Sequence, residues 1–297
     1  MSRSPSGGSA APSPSDLGKN NPSTATSGRK LNFGCGARFA DSWVNIDFHS
    51  NDPRVQRVNL LNRFPFDSES FDAVYSSHVL EHFTQAQGRF LIGEAHRVLR
   101  KGGVLRIVVP DLEASCREYL RVLSLPEGDR KEQLYRWIII ELLDQMVRRV
   151  PSGQMKPLVD EIMSGEDEAL KRYLHSRTQN TPWTPPEAPL SLGAKLRRLT
   201  VQKLATKVSY GYLAVATRLI PRSLRDLVLV RTTIGECHRW MYDGYSLARL
   251  FREAGFREVR RVEYNQSRIA GFNRDCLDCH ADGTTYKYNS IYMEGVR

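Results

Sequence analysis

Three groups of residues in this 297-residue chain have types and spacings that could do chemistry. The first is Lys30-Leu31-Asn32-Phe33-Gly34-Cys35-Gly36-Ala37, where glycines directly follow a short apolar run. Glycines placed there let the backbone approach a bound nucleotide-like cofactor closely. Asp47 closes the next apolar run, and a carboxylate at that point can accept hydrogen bonds from both ribose hydroxyls. No third glycine stands at the dinucleotide spacing, because Arg38 and Phe39 occupy that region, so NAD(P) and FAD are disfavoured. The second group is His78-x-x-Glu81-His82. One helical turn would bring the three side chains close, and a cation held there could acidify a hydroxyl. No further ligand is evident in the sequence, so no metal is expected. The same letters match an H-x-x-E-H zinc-protease pattern, which its place directly after a strand sets aside. The third group, Cys276-x-x-Cys279-His280, has the form of a haem attachment or half a zinc site. Its one companion is an isolated Cys237-His238, and the reading is a loop of reduced thiols.

The elements that must position these residues alternate. Leu31–Phe33, Val44–Phe48, Val55–Leu61 and Phe71–Ser77 read as strands. Gln85–Arg100 has helical spacing, with Leu91, Ala95, Val98 and Leu99 on one face and a stop at Gly102-Gly103. Val104–Val109 is apolar apart from Arg106, as in the middle of a parallel sheet. Asp111 is placed to cap the next helix. Strands alternating with helices mean an α/β domain. After Glu113 the pattern turns helical, over Arg130–Val150, Pro157–His175 and Ala194–Ile220, with an irregular proline-rich stretch at Thr178–Leu190. A helix over Tyr245–Ala254, ended by Gly255, precedes two last strands at Glu258–Tyr264 and Ser290–Val296. The length is therefore explained by one domain, residues 29–297, with a helical insertion over 114–237.

Composition narrows the function classes. At 40% hydrophobic and 26% charged residues the chain is that of an ordinary globular protein. No apolar run approaches the roughly 18 residues of a membrane span. Five scattered cysteines make no disulfide framework and fit a reducing, cytoplasmic compartment. Residues 1–28, rich in Ser, Pro, Gly and Ala, lack the apolar side chains to offset ordering and read as a disordered tail. Of the net charge of +10, a net +8 falls in residues 193–232. Leu196, Leu199, Leu204, Val208, Tyr212, Val215 and Leu219 give that segment one apolar helix face bordered by Lys and Arg. Three readings stay open: a helix packed on the core with a solvated basic face, a surface for anionic membrane lipid or a phosphorylated or lipid-linked acceptor, or an RNA contact. Nucleic acid is the least favoured, because only Tyr210 and Tyr212 interleave with the basic positions.

Six ordered blocks carry a family resemblance. They are Leu31-Asn-Phe-Gly-Cys-Gly, Trp43-Val-Asn-Ile-Asp47, Phe64-Pro-Phe-Asp-Ser-Glu-Ser-Phe-Asp72, His78-Val-Leu-Glu-His82, Leu99-Arg-Lys-Gly-Gly-Val-Leu-Arg-Ile-Val-Val-Pro-Asp111, and the pair His238-Arg-Trp-Met-Tyr-Asp243 with Leu247-Ala-Arg-Leu-Phe-Arg-Glu-Ala-Gly-Phe256. Together they resemble the class I S-adenosylmethionine-dependent methyltransferases, and within these the type 11 group associated with saccharide and small-molecule acceptors. The resemblance implies a Rossmann-like α/β sheet of order 3-2-1-4-5-7-6 with S-adenosyl-L-methionine over the carboxyl ends of strands 1, 2 and 4. It also implies cofactor contacts from Gly34, Cys35 and Gly36 through backbone, from Asp47 to the ribose, from Asn59 and Leu60 beside the adenine, and from Ser77 and His78 near the methionine. Asn32 and Asn59 stand where the wider superfamily often has acids.

Methyl transfer to a hydroxyl needs a base for the proton. His82, just past strand 4, and His238, where the chain rejoins the α/β domain, are the candidates, with His78 lining the cofactor. The expected activity is O-methylation of a saccharide or other small molecule, with acceptor choice residing in the insertion by analogy of fold. The alternatives are a non-catalytic methyltransferase-like scaffold that binds membrane or partners through the basic insertion, and an RNA methyltransferase.

Overall fold

The computed structural model describes residues 28–148, 152–178 and 237–297, together with residues 208, 211, 212 and 215. Seven strands form one sheet: β1 (Lys30–Phe33), β2 (Val44–Asp47), β3 (Val55–Arg57), β4 (Phe71–Ser77), β5 (Leu99–Pro110), β6 (Arg257–Val262) and β7 (Ser290–Val296). Their order is β3-β2-β1-β4-β5-β7-β6. The first five run parallel, and β7 is antiparallel to both β5 and β6. This is the Rossmann-like arrangement expected from the sequence, with the chain leaving the sheet after β5 for a helical insertion.

Alternation along β4 and β5 divides two cores. Val74, Leu105, Ile107 and Val109 face the apolar sides of α1 (Gln85–Val98) and α7 (Gly244–Glu253). Thr84 and Gln87 form a capping box at the start of α1, and Asp243 and Ser246 do the same for α7. On the other face Ala73, Tyr75, Val104 and Val108 pack against Ile269, Phe272 and Leu277, which belong to the connection between β6 and β7. The insertion has a separate small core. Val122 of α2 (Leu112–Leu123) and Leu134 and Trp137 of α3 (Asp129–Ile139) meet Leu158 and Ile162 of α5 (Met155–Ser164) and Leu170 and Leu174 of α6 (Glu168–Arg177).

The polar exception in β5 has a clear physical role. Arg106, fully buried, points to the face covered by irregular chain. Loop carbonyls there have no ladder to satisfy them, and an unpaired buried carbonyl is costly. The guanidinium donates to the carbonyls of Gln266, Glu263 and Tyr264, and to Asp278 and Glu294 at 2.7 and 3.0 Å. Tyr75 donates to the other oxygen of Asp278 at 2.5 Å. Burial raises the Asp278 carboxyl above its ordinary value, against the pull of Arg106 and Tyr75.

Several boundaries differ from the sequence expectation. The first helix ends at Val98, because Leu99 turns extended and pairs with Phe71. Gly102 (φ +80°) and Gly103 sit in the irregularity between the Phe71–Leu99 and Ala73–Val104 pairs, so they serve a bulge in β5 and do not stop a helix. β3 ends at Arg57 and not Leu61, β2 at Asp47 and not Phe48, and β6 spans Arg257–Val262. The helix expected over Pro157–His175 is two, divided by Gly165-Glu166-Asp167, with Asp167 capping α6. Beyond α3 the chain continues through a π segment (Ile140–Asp144) into α4 (Gln145–Val147). The expected tail over 1–28 lies outside the described residues except for Gly28. The helix over Ala194–Ile220 and the basic segment also lie outside them, save Val208, Gly211, Tyr212 and Val215, which are helical and exposed. Among the described residues no helix is long and apolar enough to cross a membrane.

Removing the guanidinium strands two buried carboxylates and three carbonyls. Arg106→Ala is expected to cost about 3–5 kcal/mol of unfolding free energy in chemical denaturation. Arg106→Lys should recover little of it, since an ammonium cannot reproduce the five-donor fork.

Candidate active site

Two clefts meet at the carboxyl ends of β1 and β4, the point where strand order reverses and where ligands bind in open α/β sheets. In the first, β1 runs into Gly34 (φ +65°) and Gly36 (φ +54°). The amide of Gly34 donates to Ile46 O at 2.8 Å, which ties the turn to β2. A Cβ on Gly34 would lie 2.4 Å from Val79 Cγ2, so no side chain fits there. A Cβ on Gly36 would meet nothing within 4 Å. The backbone is therefore bare on the side open to a ligand. Asp47 holds the turn from behind, its two oxygens accepting from the amides of Gly36 and His49, each at 2.9 Å.

This cleft has a volume of about 370 Å³ and includes Asn32, Gly34, Cys35, Gly36, Ala37, Ser77 and His78 in its lining. Burial, and then Asp47, push the Cys35 thiol up to about 12, so Cys35 is a neutral thiol in the wall and no nucleophile. The opposite wall is Arg38, Leu277, Tyr286 and Lys287. Arg38 fastens it. Its guanidinium lies 3.6 Å from the Tyr286 ring centroid and donates to Leu277 O at 3.0 Å and to the carbonyls of Cys276 and Cys279. Both cysteines are free thiols.

The second cleft, about 260 Å³, shares His78 and Lys287 with the first. His78 leaves β4 with a left-handed backbone (φ +53°), a conformation rare outside glycine and favoured by strain-tolerant functional turns. Its Nδ1 is 3.2 Å from Glu81 Oε1 and its Nε2 is 3.0 Å from Ser290 Oγ. Leu80–His82 form a single 3₁₀ turn before α1. The returning segment then docks on that turn: Arg239 N and Trp240 N both donate to Glu81 O, and His238 N donates to Gln145 O. His82 and His238 are brought ring to ring, with centroids 5.1 Å apart and nearly perpendicular. His82 Nδ1 lies 3.3 Å from Cys237 O.

Glu81 is 1% exposed. Burial alone would raise its carboxyl, but His78, and then His82 and His238, hold it down at about 2. Burial pushes His238 down to about 4 against the pull of Glu81. The far wall comes from the insertion: Trp137, Glu141 and Arg177, the last two joined by contacts of 2.9 and 2.6 Å. Burial lowers Lys287, despite Glu81 nearby, and its ammonium stands 5.1 Å from the Tyr286 centroid.

The structure thus gathers Gly34, Cys35, Gly36, Ser77 and His78 in one cleft, with Asp47 one hydrogen bond behind, and His82 with His238 in the next. Asn59 and Leu60 stand outside both linings. Asn59 Oδ1 accepts from Leu61 N, and Leu60 is buried in the core. Sequence reading missed Lys287, Tyr286, Arg177 and Glu141. No periodic or motif signal marks these positions, which reach the clefts by chain return alone. Arg38 was visible only as the residue that breaks a dinucleotide fingerprint.

Residues 31–107 match the family model described as a methyltransferase domain. That segment, carrying β1 to β5 and both glycines, matches the type 11 methyltransferase domain, for which S-adenosylmethionine is the cofactor indicated. A methyltransferase from Thermotoga maritima, described as a possible histamine N-methyltransferase, overlays with TM-score 0.35 and 12% identity, over 91% of this chain and 82% of its own. One from Archaeoglobus fulgidus gives TM-score 0.36 and 9% identity, over 91% and 86%. No curated protein matches the chain. The first cleft fits the cofactor on its own evidence, since it offers a side-chain-free glycine turn backed by a carboxylate. Asp47→Ala releases the Gly36 amide and removes the charge. It is expected to weaken S-adenosylmethionine binding about 10- to 100-fold in calorimetry, the loss of 1.5–3 kcal/mol typical of hydrogen bonds to a charged group.

Proposed function

We propose that this protein O-methylates a hydroxyl of a saccharide or similar polyhydroxylated small molecule, which sits in the second cleft. The observation that carries this reading is the junction of the clefts. His78 and Lys287 line both, so an acceptor in one and a methyl donor in the other would meet across the same side chains. The cofactor supplies an electrophilic methyl on a good neutral leaving group. What remains for the protein is alignment, which contributes about 7–11 kcal/mol at best, and removal of the hydroxyl proton.

The lining suits a polyhydroxylated acceptor. Arg177, Gln145, Asn289, Ser115 and Lys287 offer donors, Glu141 offers an acceptor, and Trp137 offers a flat apolar face. Proton removal falls to the imidazoles of His82 and His238, which share the cleft, while His78 is held between Glu81 and Ser290 at the cofactor side. Because α3 and α6 form the outer wall, acceptor choice resides in the insertion. The test is S-adenosylhomocysteine release across a panel of saccharide and phenolic hydroxyls. His238→Gln and His82→Gln are each expected to lower kcat about 10²- to 10⁴-fold with cofactor affinity unchanged. Failure of the wild-type protein to bind S-adenosylmethionine would overturn the reading in favour of a non-catalytic scaffold.

A further inference from the structure

Glu81, His82 and His238 each offer one ligand atom, and these atoms lie within 4.8 Å of one another. The sequence brings only Glu81 and His82 together; His238 is 156 positions from His82 and arrives by the backbone bonds of residues 238–240 to Gln145 and Glu81. We propose that these three side chains form a binding site for one divalent transition-metal ion, open towards the acceptor cleft.

Four observations carry it. First, among the described residues no hydrogen bond reaches Glu81 Oε2, although the side chain is 1% exposed. A buried carboxylate oxygen without a donor is costly, and a cation supplies the missing partner. Second, His238 Nδ1 is also buried without a hydrogen bond. Third, the tautomer of His82 is fixed. A carbonyl only accepts, so Nδ1 carries the proton donated to Cys237 O, and Nε2 keeps the lone pair a metal needs. Fourth, His78 Nδ1 holds Glu81 Oε1 at 3.2 Å, the kind of outer contact that orients a ligating carboxylate. Two imidazoles and one carboxylate favour zinc, manganese or ferrous iron over magnesium or calcium, which prefer all-oxygen sets. Ligand atoms about 2.1 Å from a common ion stand about 3–4 Å apart, so a side-chain shift of about 1 Å closes the cluster.

Three protein ligands leave positions free, and all three residues line the second cleft. An acceptor hydroxyl taking a free position is acidified by the ion, and its proton passes to water. The oxygen's electron pair then forms the O–CH₃ bond as the S–CH₃ pair stays on sulfur. In the loaded site His82 and His238 hold the ion instead of taking the proton. This role in transfer rests on the proposed function; metal binding does not.

The test is a titration of the chelator-stripped full-length protein with Co²⁺, Mn²⁺, Zn²⁺ and Mg²⁺, by calorimetry and, for Co²⁺, by visible absorption. The expected result is one equivalent of Co²⁺, Mn²⁺ or Zn²⁺ bound, with weak ligand-field bands and no thiolate charge-transfer band. Glu81→Gln and, separately, His238→Gln should lower affinity about 100-fold or more, with folding checked by circular dichroism. Cys276→Ser with Cys279→Ser should leave it unchanged. No stoichiometric binding to the wild type, undiminished binding in His238→Gln, or loss with the cysteine variant would each overturn the proposal. S-adenosylmethionine binding measured on the same stripped protein separates the two readings, since cofactor binding without metal binding defeats this inference alone.

Discussion

The fold depends on one buried guanidinium. A seven-stranded sheet with helices on one face must cover its other face, and here, among the described residues, that cover is irregular chain between β6 and β7. Irregular chain brings carbonyls into the interior with no ladder to receive them. Arg106 answers this from the middle of β5, using its five donors on three carbonyls and two carboxylates. The same bonds fix Asp278, and so the neighbouring Leu277, Tyr286 and Lys287 that wall the first cleft. Tyr286 N donates to Asp278 O, carrying the restraint one step further. Stability and site geometry therefore run through a single side chain.

From that wall the chemistry follows by adjacency. The glycine turn after β1 and the left-handed His78 after β4 are neighbours because β1 and β4 are paired in the sheet. Each turn opens a cleft, and His78 stands between the two. The insertion carries its own apolar core, which seats Trp137 in the wall of the outer cleft beside the paired Glu141 and Arg177. On the proposed function, a chemical step needing two reactants in line is divided between an α/β body that holds one and a helical addition that encloses the other.

How far the sequence could be read varies with the range of the forces involved. Elements with strong local signals stood where expected: Phe71–Ser77 and Ser290–Val296 match to the residue, and Asp111 caps the helix after β5. Ends were misplaced where tertiary pairing outweighed local pattern. Leu99 belongs to the apolar stripe of α1, yet its backbone pairs with Phe71, so the helix stops before it. The glycines at 102 and 103 look like a helix stop in sequence and work as a strand bulge in space.

By itself the sequence determined the sheet class, the glycine turn with its carboxylate, and the pairing of Glu81 with His82, because each is set within a few residues by backbone sterics and periodicity. It could also mark Arg106 as the odd residue in an apolar strand, without saying what it served. Only the tertiary structure decided that His238 meets Glu81, that Lys287 and His78 join two clefts, and that Arg177 with Glu141 closes the outer one. Those contacts are made by packing between positions from 36 to more than two hundred residues apart, and no local spacing encodes them.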